Sequence, residues 1–242
     1  MMTRTGLDRR EVLAAGAVIG AASLLGGKAA AQPAPAAIPA APVAPAYLPQ
    51  PVPLAFDPKG VPGLSERLLI SHHDNNYVGA VKRLGAIGTE LASLDPATAP
   101  GYRINGLKRE ELMAWNSMLL HEIYFSQFGA PGRPGSPLAA AIEHSFGSEA
   151  RWRSEFAGMG KALGGGSGWV ILAWSPRDGR LVNTWAADHT MSLAGGTPIA
   201  VLDMYEHAYA MDYGAKAAAY VDAVMAALDW RAADRRFATI SV

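Results

Sequence analysis

The residue types able to do chemistry in this sequence are a few histidines and carboxylates. They are densest in Leu202-Asp203-Met204-Tyr205-Glu206-His207-Ala208-Tyr209. An aspartate and a histidine four residues apart can aim at one point, either on a helix face or across a strand-to-helix corner. A carboxylate and an imidazole that converge hold a borderline or hard divalent metal. The same pair also reads as an ion pair at a helix start, so a metal site needs further ligands from elsewhere in the chain. Cysteine is absent. That removes disulfides, thiolate sites and thiol nucleophiles, and leaves imidazole and carboxylate as the ligands for any metal.

Two helical patterns offer more imidazoles. Leu64, Leu68, His72, Asn76, Ala80 and Leu84 recur every four residues in a helix predicted to run to about Leu94, so they follow one slowly drifting face. His73 lies about a hundred degrees round and is expected to cap or face solvent. A second helix is predicted over Lys108 to Phe128, where Ala114, Met118, His121, Phe125 and Phe128 form the apolar seam. A lone histidine in such a seam reads equally as a hydrogen-bonded core residue. Two antiparallel helices that each bury one histidine would face both imidazoles inward. The loop between them contains Pro96, Pro100-Gly101 and Gly106.

Gly129 to Ser136 is punctuated by Gly and Pro and reads as the boundary between a helical-hairpin domain (54–130) and a second domain (131–242). Two shorter helices follow, Pro137 to Gly147 and Ser148 to Leu163, with His144 near a helix end in a capping or surface position. Trp169 to Trp174 and Arg180 to Trp185 are strands around the turn Ser175-Pro-Arg-Asp-Gly179, and Pro198 to Leu202 is a third strand ending at Asp203. Ala215 to Leu228 closes the chain as a helix with Tyr220, Val224 and Leu228 on one face. Helices followed by a three-stranded antiparallel sheet give an α+β class, not an alternating nucleotide-binding pattern. Gly164 to Gly168 is no phosphate loop either, since no Lys-Ser/Thr follows it.

Lys and Arg number 21, Asp and Glu also 21, so the formal charge is zero. No nucleic-acid footprint or polybasic membrane patch is visible in that balance. Residues 1–31 combine a charged start, an apolar run from Ala14 to Leu25 and Ala29-Ala30-Ala31, the pattern of a secretory signal cut after Ala31. The adjacent Arg9-Arg10 resembles a twin-arginine signal, and the apolar run is too short for a comfortable membrane anchor. A periplasmic or secreted location is expected, without a stable membrane anchor after cleavage. Residues 32–53 are almost entirely Ala and Pro and read as an extended spacer.

The chain resembles the iron/manganese superoxide dismutase family over nearly all of residues 51–235. The resemblance is carried by Ser71-His72-His73-Asp74-Asn75-Asn76-Tyr77, Asn116-Ser117-Met118-Leu119-Leu120-His121, Gly166-Ser167-Gly168-Trp169 and the stretch from Asp203 to Tyr209. It implies His72, His121, Asp203 and His207 as ligands of one Fe or Mn ion, superoxide as substrate, and a homodimer. It further implies Tyr124, Trp169 and Tyr205 around the centre, and Glu206 reaching across the dimer to the partner's ligating histidine. Many members place a Gln beside the metal-bound solvent. Here that region reads Asp188-His189, and in one branch a His takes the position, so His189 is the candidate; a plain turn histidine is the other reading. The chain departs from the family's gateway, because the usual His, Tyr and dimer-spanning Tyr correspond to Asn76, Ala80 and Ala210. The usual Trp of the last motif is Tyr205. A relative of the same fold that holds metal without dismutase activity is the alternative those departures raise.

Overall fold

The computed structural model describes residues 45–240. The leader and the start of the Ala/Pro segment lie outside the described residues.

Ser65 caps the first helix, its hydroxyl accepting the Leu68 N–H. The helical run is not uniform: α1 (Glu66–Ser71) passes into a π-helical turn (His72–Tyr77) and then α2 (Val78–Ser93). A strict four-residue repeat drifts round a helix of 3.6 residues per turn. The wider π turn takes up that drift, so Leu68, His72, Ala80 and Leu84 are all buried. After a loop, α3 (Gly101–Phe125) begins seven residues before the expected Lys108. The reason is local: Pro100 precedes its first turn, where no N–H partner is needed, and Gly106 is simply carried within the helix. The Arg103–Glu90 and Arg83–Glu110 ion pairs match ascending positions on α3 with descending ones on α2, the signature of an antiparallel hairpin.

Next come α4 (Ser136–Phe146), with Pro137 in its first turn and Gly147 left-handed at its end, and α5 (Glu149–Ala162), capped by the Ser148 hydroxyl. His144 is exposed, as expected. The sheet has strands β1 (Trp169–Ser175), β2 (Arg180–Ala186) and β3 (Thr197–Asp203) in the order β2-β1-β3, all antiparallel. Trp169 pairs with both Ala186 and Asp203, so the bottom of the sheet places Trp169 beside the end of β3. Gly168 (φ +136°) makes this approach possible, since a Cβ there would lie 2.2 Å from the Ala186 carbonyl oxygen.

A 3-10 turn (Glu206–Ala208) and the short α6 (Ala210–Tyr213) follow β3. Then come α7 (Ala217–Ala227) and α8 (Arg231–Ile240). The sequence reading stopped at Leu228 and missed α8, a strongly amphipathic helix that buries Ala232, Ala233 and Phe237. Gln127 ties hairpin to sheet. Its amide donates to the Val201 carbonyl at 2.8 Å and accepts the Val201 N–H at 2.6 Å, both inside the core.

Residues 45–53, read as the end of the spacer, lie against the hairpin. Tyr47 stacks on Trp115 (4.8 Å, 6°), and the Val52 N–H donates to the Tyr77 hydroxyl at 2.7 Å. His73 does not simply face solvent: Nε2 lies 2.9 Å from the Val52 carbonyl and Nδ1 2.8 Å from Asp74. No helix among the described residues is long and apolar enough to cross a membrane.

Candidate metal centre

Four elements deliver one ligand candidate each. His72 opens the π turn, His121 lies near the end of α3, Asp203 is the last residue of β3, and His207 sits in the 3-10 turn beyond it. Their nearest donor atoms all fall within 4.8 Å of one another. His72, His121 and Asp203 are buried, while the His207 side chain keeps 25% of its exposure. The Asp-x-x-x-His pair thus works across a strand-to-turn corner.

The geometry centres on one oxygen. Nε2 of His72, His207 and His121 lie 3.1, 3.3 and 3.5 Å from Oδ2 of Asp203. Separations of this size are the edges between ligands on an ion with bonds of roughly 2.0–2.2 Å. Hydrogen bonding alone does not explain them. His121 Nδ1 donates to the Ser117 carbonyl at 2.6 Å, which fixes the proton of the neutral ring on that nitrogen. Burial lowers the His121 pKa to about 3 against the opposing pull of Asp203, so the ring is neutral at pH 7. Nε2 then presents a buried lone pair with no hydrogen-bond partner, aimed at a carboxylate oxygen. Two electron-rich atoms facing each other away from water are stabilised by a cation between them. The residues fit a metal ion of the kind that takes imidazole and carboxylate together.

The surroundings hold these groups in place. Asp203 Oδ1 accepts the Tyr205 N–H at 2.9 Å, which leaves Oδ2 for the centre. Burial works to raise the Asp203 pKa, but hydrogen bonds from His207 and His72 outweigh it and keep the carboxyl well below the usual range. The Tyr220 hydroxyl donates to the Asp203 carbonyl at 2.8 Å and meets the Tyr124 hydroxyl at 3.1 Å, and the Tyr124 ring lies 5.0 Å from His72. Burial raises the pKa of both phenols, so they serve as neutral donors. Sequence reading found Tyr124 but took Tyr220 only as packing and missed Ser117 as the anchor of His121. The position four residues before a seam histidine was the available signal, since helix geometry places its backbone carbonyl near the ring whatever the residue type.

His189 is half-buried beside the cluster, its ring 6.1 Å from that of His121. Its Nδ1 accepts the Trp169 indole N–H at 2.9 Å, and its carbonyl accepts the Asn116 amide at 2.6 Å. In the neutral ring the remaining proton is therefore on Nε2. Burial lowers its pKa, which favours that neutral form. Tyr205 stacks on His189 (4.8 Å, 11°) and on His207 (5.4 Å, 16°). Asn76, Ala80, Ser117 and His189 line one cleft of about 260 Å³ together with Arg83. Two of the atypical gateway positions therefore share a cleft with His189 and with Ser117, the anchor of His121. Ala210 and Glu206 are exposed.

Fold and site together define, among the described residues, an α+β protein with a centre of three imidazoles and one carboxylate. Residues 134–236 match the family model for the C-terminal domain of iron/manganese superoxide dismutases. The chain is 63% identical over 186 residues to a superoxide dismutase [Fe] of Cupriavidus metallidurans, an alignment covering 77% of this chain and 94% of that protein. It is 31% identical to a superoxide dismutase [Fe] of Aquifex pyrophilus (74% and 87% covered) and 30% identical to a superoxide dismutase [Mn] of Halobacterium salinarum (76% and 92%). The chain belongs to the iron/manganese superoxide dismutase family.

Proposed function

We infer that this chain is a superoxide dismutase that uses one Fe or Mn ion, held by His72, His121, Asp203 and His207. The observation that carries the reading is the convergence of three imidazole Nε2 atoms on Asp203 Oδ2 in a chain of this family. When bound, the ion supplies a one-electron couple through which two superoxide ions and two protons become dioxygen and hydrogen peroxide. Asp203 brings a full negative charge to the centre, which favours its more oxidised state. His189, with Nδ1 engaged by Trp169, keeps its proton on Nε2 and would supply a hydrogen-bond donor beside the bound ion, helping to set its potential. Substitution of Asn76 and Ala80 for bulkier gateway residues leaves a cleft through which a small anion reaches this side.

Two further parts of the reading come from the sequence. Glu206 is assigned to an isologous dimer contact, in which Glu206 of the partner subunit accepts from His207 Nδ1. The leader with Arg9-Arg10 directs the chain out of the cytoplasm, and the mature protein begins at Gln32. N-terminal mass mapping of the exported protein checks the cut, and an Arg9→Lys, Arg10→Lys double variant should retain the precursor inside the cell. Normal export of that variant would remove the twin-arginine route.

The deciding experiment is superoxide decay after pulse radiolysis, with protein loaded separately with Fe and with Mn and metal content assayed in the same samples. Decay well above that of the free ion, lost in His121→Ala, is expected with at least one metal. Full occupancy without decay would overturn the enzymatic reading and leave a metal-holding relative of the fold.

A further inference from the structure

A second concave site lies away from the metal cluster, between α3, the start of β3 and the loop that follows His189. It measures about 430 Å³, within the range of roughly 300–1,000 Å³ typical of small-molecule pockets. Leu119, Ile123, Ile171, Met191 and Pro198 form apolar walls, and Arg236 of α8 reaches it from the side. Leu119 and Met191 remain exposed at 41% and 37%, so the apolar surface is not covered by the chain itself.

Arg236 is the unusual member. Its Nε and Nη2 donate to the Ile199 carbonyl at 3.1 and 2.7 Å, and Nη1 donates to the Ser126 hydroxyl at 2.9 Å. A guanidinium carries five N–H donors, so with three committed two are left over. No carboxylate pairs with it among the described residues. Glu122, the acid on the same cleft, accepts from the Tyr77 hydroxyl at 2.9 Å instead. The other charge acting on Arg236 is a second cation, Arg235, and burial with that neighbour brings its pKa down to about 10. Among the described residues the cation is thus half-buried, fixed in orientation and without an ion-pair partner, at the edge of an apolar cavity.

We propose that this cleft binds an amphiphilic monocarboxylate, with its headgroup on Arg236 and its hydrocarbon chain along Leu119, Ile123, Ile171 and Met191. A planar guanidinium with two free N–H bonds matches a carboxylate fork, and burial of the pair strengthens it. A bare inorganic anion would leave the apolar walls wet, and a neutral lipid would leave the cation without a partner. Neither alternative uses both halves of the site. The proposal draws no step from the metal chemistry, because Arg236 and the apolar wall residues named here are not among the ligand candidates.

The test is calorimetric titration of octanoate into the metal-loaded full chain, with octanol, octylamine and acetate as companions. Saturable one-to-one binding of octanoate is expected, with each companion weaker by at least about tenfold. Arg236→Met should weaken octanoate by at least about tenfold and leave superoxide removal unchanged. Leu119→Glu, at an exposed wall position, should do the same by adding a second carboxylate to the one that Glu122 already brings to the cleft. It decides the matter if the Arg236 variant fails to fold. Octanol binding as tightly as octanoate, octanoate affinity unchanged in Leu119→Glu, or no octanoate binding at millimolar concentration would overturn the proposal.

Discussion

At the scale of single residues, the centre is made of groups that are costly in the absence of metal. His72 and His121 are buried with pKa values lowered mainly by loss of hydration, the latter to about 3. In the unfolded chain both titrate near the ordinary value of about 6.5. Below that pH the unfolded state binds protons that the folded state refuses, so stability falls as pH falls. Each histidine contributes a slope of about 1.4 kcal/mol per pH unit between the ordinary value and its lowered one. Metal-free protein is therefore expected to lose stability steeply between pH 6.5 and 5 in urea titrations, and His121→Gln should remove about half of that slope. A flat profile over this window would show that the imidazoles are not kept neutral. The role proposed for His189 rests on a different property, an Nε2–H without a partner among the described residues. His189→Leu should keep the metal, since no ligand is lost, yet lower turnover per metal ion by about 10- to 100-fold, the scale of outer hydrogen-bond partners. His189→Gln restores a donor and should recover much of the loss. Unchanged turnover in the Leu variant would remove His189 from the reaction.

At the scale of elements, the site depends on how hairpin and sheet are joined. Gln127 lies two helical turns' reach from His121 and bonds Val201, two residues before Asp203. Gln127→Ala leaves a buried N–H and a buried carbonyl without partners and should cost about 2–4 kcal/mol of stability in the metal-free protein as well as the loaded one. Equal urea midpoints for wild type and Gln127→Ala would show that the tie is dispensable.

The same elements show what the sequence reveals. The three strands, the Ser148 start and the buried seams of α2 and α3 were legible, because alternation, caps and periodicity are local signals. Both helical ligands were legible as polar residues in apolar seams. The π turn was not, since an extra residue in one turn leaves no mark in composition. The early start of α3 was hidden by Gly106, which reads as a breaker but is tolerated in a long packed helix. His73 and Tyr77 escaped because their partner, Val52, sits in a segment whose composition suggested only a spacer. Tyr220 escaped because its face reads as plain helix packing. Its role depends on the Asp203 carbonyl, seventeen positions away in the chain.

At the scale of the molecule, the edge of the centre that faces outward is its His207 side. His207 keeps part of its surface exposed, and only its Nε2 has a partner among the described residues. Glu206 beside it is exposed and forms no ion pair among the described residues. In an isologous dimer, residue i of one subunit meets residue j of the other and the reverse holds, so one Glu–His contact occurs twice. Each contact would also fix the proton of His207 on Nδ1 and so leave Nε2 for the metal. That links assembly to metal retention. Glu206→Ala should raise the dimer dissociation constant by at least about tenfold, since two buried charge-assisted bonds are lost together. It should also accelerate metal loss to a chelator, and more so at low protein concentration, where monomer accumulates. Sedimentation velocity across a dilution series, with metal release followed in the same samples, checks both effects. A wild-type chain that sediments as a monomer at every concentration would defeat the dimer assignment. A variant that dissociates but holds its metal as firmly as wild type would separate assembly from the centre.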